Sequence, residues 1–198
     1  MTSKTDFPDP SHLDPSLSFH GQDVPPQSPD IALFHVIPAP LEKSVSYGTG
    51  TSSGPAEILR ASGQLELFDG KSVPSDYGIF TAESVDCCGQ VENVLENIQT
   101  VVRQSLFLNS LPIVLGGEHT VTLGAIEAIA EQHDSFGVIQ FDAHADLRES
   151  YEGSKLSHAC VMKRIWDKDI PILQIGTRSY SYAEQVFRKE HGITYFDA

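Results

Sequence analysis

The sequence predicts an α/β fold: a mostly parallel sheet with helices on both faces, in a three-layer α/β/α arrangement. Three observations predict it. From about residue 31 onward, short apolar runs alternate with stretches of helical periodicity. The runs are continuously apolar, as expected of strands covered on both faces. Each is joined to the next by a helical stretch, which makes right-handed βαβ crossovers.

The elements follow in order. Residues 1–30 read as an extended arm, because six of the 12 prolines fall there and apolar periodicity is weak. Such an arm suits packing on a neighbour. The domain proper runs from 31 to 198. Ile31–Ile37 is a buried strand stopped by Pro38 and Pro40. A Ser/Thr/Gly-rich loop, Ser44–Gly54, precedes a helix opened by Pro55, whose fixed φ and missing N–H suit a first turn. Residues 68–88 carry no clear pattern. Gln90–Asn109 is a helix, with Val91, Val94, Leu95, Ile98, Val101 and Val102 at helical spacing. Then come a strand Leu111–Leu115, a helix Thr120–Gln132 with Leu123, Ile126 and Ile129 inward, and a strand Phe136–Phe141. A helix His158–Asp167, a strand Ile170–Ile175, a helix Ala183–His191 stopped by Gly192 and a strand Ile193–Phe196 complete the chain. The last strand has no covering helix after it.

Composition excludes several functions. At 198 residues the chain makes about one domain. No apolar run approaches the roughly 18 residues of a membrane span. The N-terminus lacks a basic start and an apolar stretch, so the expected compartment is the cytoplasm. A formal net charge of −14 repels phosphate backbones and disfavours nucleic acid, while it attracts small cations. Cys87, Cys88 and Cys160 are odd in number and lack Cys-x-x-Cys spacing, which fits reduced thiols.

In a parallel α/β sheet, ligands sit beyond the carboxyl ends of the strands. Two strand ends here carry metal-ligand types. One is Gly116-Gly117-Glu118-His119, where the glycines permit a sharp turn and His119 reaches the rim. The other is Asp142-Ala143-His144-Ala145-Asp146. If that backbone is extended, its period of two puts Asp142, His144 and Asp146 on one side. Two carboxylates and an imidazole aimed at one spot need a cation between them, and oxygen plus imidazole donors suit Mn²⁺. A solvated turn is the simpler reading of any one Asp-x-His.

These pieces, with Thr120, Leu147-Arg148, Ser157-His158-Ala159-Cys160, Tyr47-Gly48-Thr49-Gly50 and Gly54-Pro55, resemble the ureohydrolase family of arginases, agmatinases and formiminoglutamases, most closely the bacterial-type agmatinases. The resemblance covers about residue 31 to the end. It implies an arginase-like three-layer fold and a Mn²⁺ pair bridged by hydroxide, which attacks the guanidinium carbon and releases urea and an amine. By position, His119 and Asp146 would bind the first ion, His144 the second, and Asp142 both. His158 matches the family's non-ligand histidine, implied to pass a proton to the departing amine. It reads equally as the start of the following helix. Glu118 could orient the His119 imidazole. His12, His20, His35, His133 and His191 lack such context.

Arginases carry an asparagine two residues before the matching histidine to read the α-carboxylate of arginine, and this chain has Leu156 there. The implied substrate is therefore agmatine, a small dication, yielding putrescine and urea in polyamine biosynthesis. Guanidinobutyrate and formiminoglutamate are alternatives. The family also implies a homo-oligomer. Its later Asp-x-Asp motif has no counterpart here, because Asp167-Lys168-Asp169 precedes a strand instead of following one. The domain is thus expected to be C-terminally incomplete, with a short-liganded second ion and little activity as 198 residues alone. A non-catalytic metal-binding fragment is the competing reading. A plain dinucleotide binder is disfavoured, since no Gly-x-Gly-x-x-Gly is present.

Overall fold

The computed structural model describes Phe7, residues 17–21 and residues 23–198, so the rest of the N-terminal arm lies outside the described residues. Among the described residues, six strands alternate with five α-helices: β1 Phe34–Ala39, α1 Gly54–Ser62, β2 Ile79–Thr81, α2 Val91–Phe107, β3 Leu111–Gly116, α3 Thr122–Ala130, β4 Val138–Phe141, α4 Val161–Trp166, β5 Ile172–Thr177, α5 Tyr182–Glu190 and β6 Thr194–Asp197. Every strand pairing is parallel. The fold is the α/β class with a three-layer α/β/α plan.

The sheet, however, is two three-stranded halves, β2-β1-β3 and β4-β5-β6, and β3 is not paired with β4. Helices α2, α3 and α4 pack side by side and cover one face of both halves. Against the first half, α2 buries Val94, Ile98 and Val102 on Ile37, Ala39 and Phe80. Against the second, α3 and α4 bury Leu123, Ile126, Met162 and Ile165 on Ile172. The opposite face differs between the halves. Over the first, Leu59 of α1 and Phe19 pack on Phe34, Val36 and Ile79. Over the second, Ile139 (60% exposed), Phe141 (78%) and Phe196 (62%) face solvent. The expected cover on both faces therefore holds for one half only.

Several boundaries move for physical reasons. β1 continues through Pro38 instead of stopping there. The missing Pro38 N–H points past the end of β2, whose last residue Thr81 pairs with Val36, so no ladder bond is lost. The Pro38 carbonyl still accepts Val85 N–H at 2.8 Å. β2, only three residues long, lies in the stretch that showed no pattern. In α3 it is Ala128, not Ile129, that is fully buried. The helix at 120 opens with a 3-10 turn at His119–Val121, and that at 158 with one at His158–Cys160. Helix α5 begins on a reciprocal cap: Ser181 accepts Glu184 N–H, and the Glu184 carboxylate accepts Ser181 N–H.

The described part of the arm packs on this chain. Phe7 meets the rings of His35 and Phe80 edge-on, and Phe19 N–H donates to Thr81 Oγ1 at 3.0 Å. All three cysteines are free, and burial pushes the Cys87 thiol up to about 11. Among the described residues no helix is long and apolar enough to cross a membrane.

Candidate metal centre

Gly116, which ends β3, and Gly117, which follows it, are both needed for close approach. A Cβ on Gly117 would lie 2.2 Å from the Leu41 carbonyl oxygen, and one on Gly116 would lie 2.6 Å from Val121 Cγ2. Neither glycine has a positive φ, so tight packing, and not a left-handed turn, explains them. The chain then enters the 3-10 turn that aims His119 over the carboxyl end of the sheet.

After β4, the Asp142–Asp146 segment does not stay extended. Asp146 has φ 51, a left-handed conformation that Asp tolerates better than most residues and that recurs at functional sites. Hydrogen bonds hold the distortion. Asp142 N–H donates to Ile175 O at 3.1 Å, Ala143 O accepts from Arg178 and Ser179, and Ala145 O accepts from Gln174 Nε2 at 2.7 Å. Leu147 N–H donates to Glu184 Oε1 at 3.0 Å, which ties the segment to α5.

The result departs from the one-sided trio that an extended backbone would give. His119, Asp142 and Asp146 converge, each offering a ligand atom within 4.8 Å of the others. His119 Nδ1 lies 2.7 Å from Asp146 Oδ2 and 3.7 Å from Asp142 Oδ2. His144 is left outside, its side chain 63% exposed and Nδ1 3.3 Å from Asp142 Oδ1. The His144 N–H donates to that same Oδ1 at 2.8 Å, leaving Oδ2 turned toward His119. Two part-buried carboxylates beside one imidazole form an anionic, oxygen-rich donor set that fits a divalent cation.

The three residues line a cavity of about 590 Å³ with His144, Glu118, Arg148, Tyr151, His158, Glu184 and the Ser46-Tyr47 and Ser179–Ser181 loops. Its lining carries more acid than base. Leu156 does not reach it and packs instead on the core of the second half. His158 is half-buried, with Nε2 3.0 Å from Ser46 Oγ and Nδ1 3.2 Å from Ser44 Oγ. The Glu118 carboxylate makes no hydrogen bond to the His119 ring, which meets Asp146 instead. Glu118 accepts Lys43 N–H and Ser44 N–H at Oε2, both 2.8 Å, and Ser44 Oγ–H at Oε1, 2.9 Å.

The loop that brings these serines in is folded by Glu42. It accepts Ser52 N–H, Ser52 Oγ–H and Gly50 N–H, and those bonds, led by the Ser52 backbone, hold its carboxyl below the usual range. On the other side, the Lys155 hydrogen bond, with Arg164 and Lys163 nearby, holds Glu149 at about 2 and fastens the loop carrying Tyr151 to α4. Ser44, Ser46, Glu42, Tyr151 and Glu184 were not singled out by sequence. The one signal was that Ser44 and Ser46 lie in a loop unusually rich in Ser, Thr and Gly.

Fold and site together define an α/β protein with a carboxylate–imidazole cluster able to coordinate a metal ion at the carboxyl rim of a parallel sheet. The chain belongs to the arginase family, whose family model matches residues 32–198. It is 34% identical over 174 residues to the N(1)-aminopropylagmatine ureohydrolase of Synechocystis, covering 81% of this chain and 56% of that protein. It is 30% identical over 167 residues to an agmatinase of Pyrococcus horikoshii, covering 82% and 58% respectively. The crystal structure of the agmatine ureohydrolase of Thermoplasma volcanium superposes with a TM-score of 0.80 at 28% identity, covering 93% of this chain and 61% of that one. The chain therefore spans a little over half the length of these relatives.

Proposed function

We propose that the protein is a manganese-dependent amidinohydrolase that cleaves agmatine to putrescine and urea. The observation that carries this reading is the meeting of His119, Asp142 and Asp146 beside His158 in one acidic cavity. Asp142 and Asp146 with His119 would hold a Mn²⁺ ion, and His144, whose Nδ1 lies 3.3 Å from Asp142 Oδ1, would serve a second. A bound metal pair supplies charge stabilisation and a strong nucleophile at neutral pH.

The chain's own residues do the rest. Asp142 keeps Oδ2 aimed inward because its other oxygen is engaged by the His144 N–H. His158 stands at the cavity wall, where imidazole is suited to move a proton to a departing amine. The cavity's acidic lining and the chain's net charge of −14 favour a dication. Leu156, turned into the core, offers nothing to a carboxylate, which disfavours arginine. Three relatives act on N(1)-aminopropylagmatine by name, so that longer polyamine is the second substrate to test. Three free thiols fit the reducing cytoplasm, and a symmetric homo-oligomer is the assembly proposed with it.

The test is urea release by the Mn²⁺-loaded protein from agmatine, N(1)-aminopropylagmatine, guanidinobutyrate, formiminoglutamate and arginine. A preference for agmatine supports the proposal, and a tenfold preference for another compound overturns the substrate. A second reading is a metal-binding fragment without turnover. It is favoured by the exposure of His144, since three donors converge among the described residues where Mn²⁺ takes about six. Metal uptake without urea release from any of the five would support it.

A further inference from the structure

The hydrogen bonds around His158 form a directional chain that sets where its proton sits. Both ring nitrogens meet hydroxyls: Nε2 is 3.0 Å from Ser46 Oγ, and Nδ1 is 3.2 Å from Ser44 Oγ and 3.3 Å from Ser157 Oγ. A flipped ring would put carbons against these oxygens. Tyr151 also fixes its plane, with ring centroids 5.4 Å apart at 80°.

The direction comes from Glu118, which is buried and offers only acceptors. Its Oε2 is filled by Lys43 N–H and Ser44 N–H, and its Oε1 takes the Ser44 hydroxyl proton at 2.9 Å. A hydroxyl has one proton to give. With that O–H directed at the carboxylate, Ser44 Oγ can otherwise only accept. It accepts His158 N–H at 3.0 Å and turns its remaining lone pair to Nδ1. A lone pair on Nδ1 would oppose it. A proton on Nδ1 satisfies it. Ser157 Oγ, which already accepts Ala159 N–H, is a second acceptor for the same proton.

We propose that Glu118, acting through the Ser44 hydroxyl, is a positioning residue that fixes the proton of neutral His158 on Nδ1, leaving Nε2 as the atom that takes up a proton from the cavity. Ser46 lines the cavity and Ser44 does not, so Nε2 is on the open side of the ring. Its partner there is a hydroxyl, which can donate to an unprotonated Nε2 and accept from a protonated one. No group must reorganise other than the rotation of the Ser46 hydroxyl. Glu118 thus serves the proton-transfer residue and not the adjacent metal ligand.

The catalytic meaning of this tautomer rests on the amidinohydrolase reading, but its test needs neither metal nor turnover. The full chain, labelled with ¹⁵N-histidine, is examined by long-range ¹H–¹⁵N NMR where the ring is neutral. Loss of one signal set in His158→Asn assigns it. The expected pattern is a protonated Nδ1 and an unprotonated Nε2. In Glu118→Gln, the amide oxygen accepts the two backbone N–H groups and the NH₂ donates to Ser44 Oγ. Ser44 then donates to Nδ1, and the tautomer reverses to Nε2–H. Ser44→Ala shifts the tautomer ratio toward Nε2–H by about fivefold, the equivalent of one ordinary hydrogen bond. It carries the decision should Glu118→Gln fail to fold. Ser46→Ala keeps Nδ1–H. An Nε2–H ring in the unaltered protein would mean that Ser157 donates to Nδ1, and it overturns the proposal. So does the unaltered pattern persisting in Ser44→Ala. Failure of urea release overturns the proposed function and leaves this result standing, and the converse holds.

Discussion

The two half-sheets are built from strands of similar apolarity, yet they are covered differently. The first, β2-β1-β3, is sandwiched: α2 packs on Ile37 and Ala39, while α1 and Phe19 pack on Phe34 and Val36. The second, β4-β5-β6, has α3 and α4 on one face, and on the other Ile139, Phe141 and Phe196 stand open to solvent. Their buried positions differ too. The first half is closed mainly by apolar contacts, its buried His35–Ser105 pair lying away from the metal-ligand residues. The second buries Gln140 and Gln174, joined at 2.6 Å, together with Arg188, which lies over the Tyr195 ring and donates to Asp197. The lesson is a division of labour: the first half is a packed scaffold that presents one donor, His119, while the second invests buried polar groups in shaping the segment that presents three.

That comparison can be broken at either end. The largest expected effect is in the sandwiched half, where Ile98→Ala removes a side chain with no exposure and costs about 2–5 kcal/mol in urea unfolding. A loss below 1 kcal/mol would mean that this half is not the rigid one. Next comes the centre itself. Asp146→Ala is expected to weaken Mn²⁺ binding in calorimetry by at least about 100-fold, beyond the range seen when only an outer partner of a ligand is lost. Unchanged affinity would remove Asp146 from the site. Gly117→Ala drives a methyl into the Leu41 carbonyl and should destabilise by about 1–3 kcal/mol, with His119 displaced and metal affinity reduced in step.

A smaller, pH-dependent effect belongs to the first half. His35 is buried, with Nδ1 on Ser105 Oγ and Nε2 on Pro29 O, and burial lowers its pKa below 6.5 against the opposing pull of the Pro29 and Ala32 carbonyls. Below 6.5 the unfolded chain binds a proton that the folded ring resists. Stability is therefore intact above 6.5 and declines as pH falls from there through the folded value. Urea midpoints measured across this range should fall more steeply in the native protein than in His35→Phe. The smallest effect is on the open face, where Ile139→Ala should change stability by less than about 0.5 kcal/mol. A larger loss would show that this face is covered in solution.

Much of this was legible in the sequence for identifiable reasons. Helices α2 and α5 announced themselves because their periodicity and stop signals are local, and both lie within two residues of the expected bounds. The donor types at the two strand ends were legible because strand ends in parallel sheets are where ligands bind. β2 was not, since three residues carry no period. Nor was the burial of Leu156 away from the cavity, which depends on how the 149–157 loop closes on α4. Glu118 was assigned to its sequence neighbour His119, and it serves Ser44, 74 residues away.

The order of elements, the parallel topology and the chemistry of the donors were set by the sequence alone, because they follow from local periodicity and side-chain type. Which donors meet was decided only in three dimensions. An extended Asp142–Asp146 would have aligned Asp142, His144 and Asp146. The left-handed turn at Asp146, held by bonds donated by Gln174 and Arg178 and by the one Glu184 accepts from Leu147 N–H, instead folds Asp146 onto His119 and leaves His144 outward. Those partners come from β5, from the segment after it and from α5, and a backbone conformation that depends on partners so distant along the chain cannot be read from the five residues that adopt it.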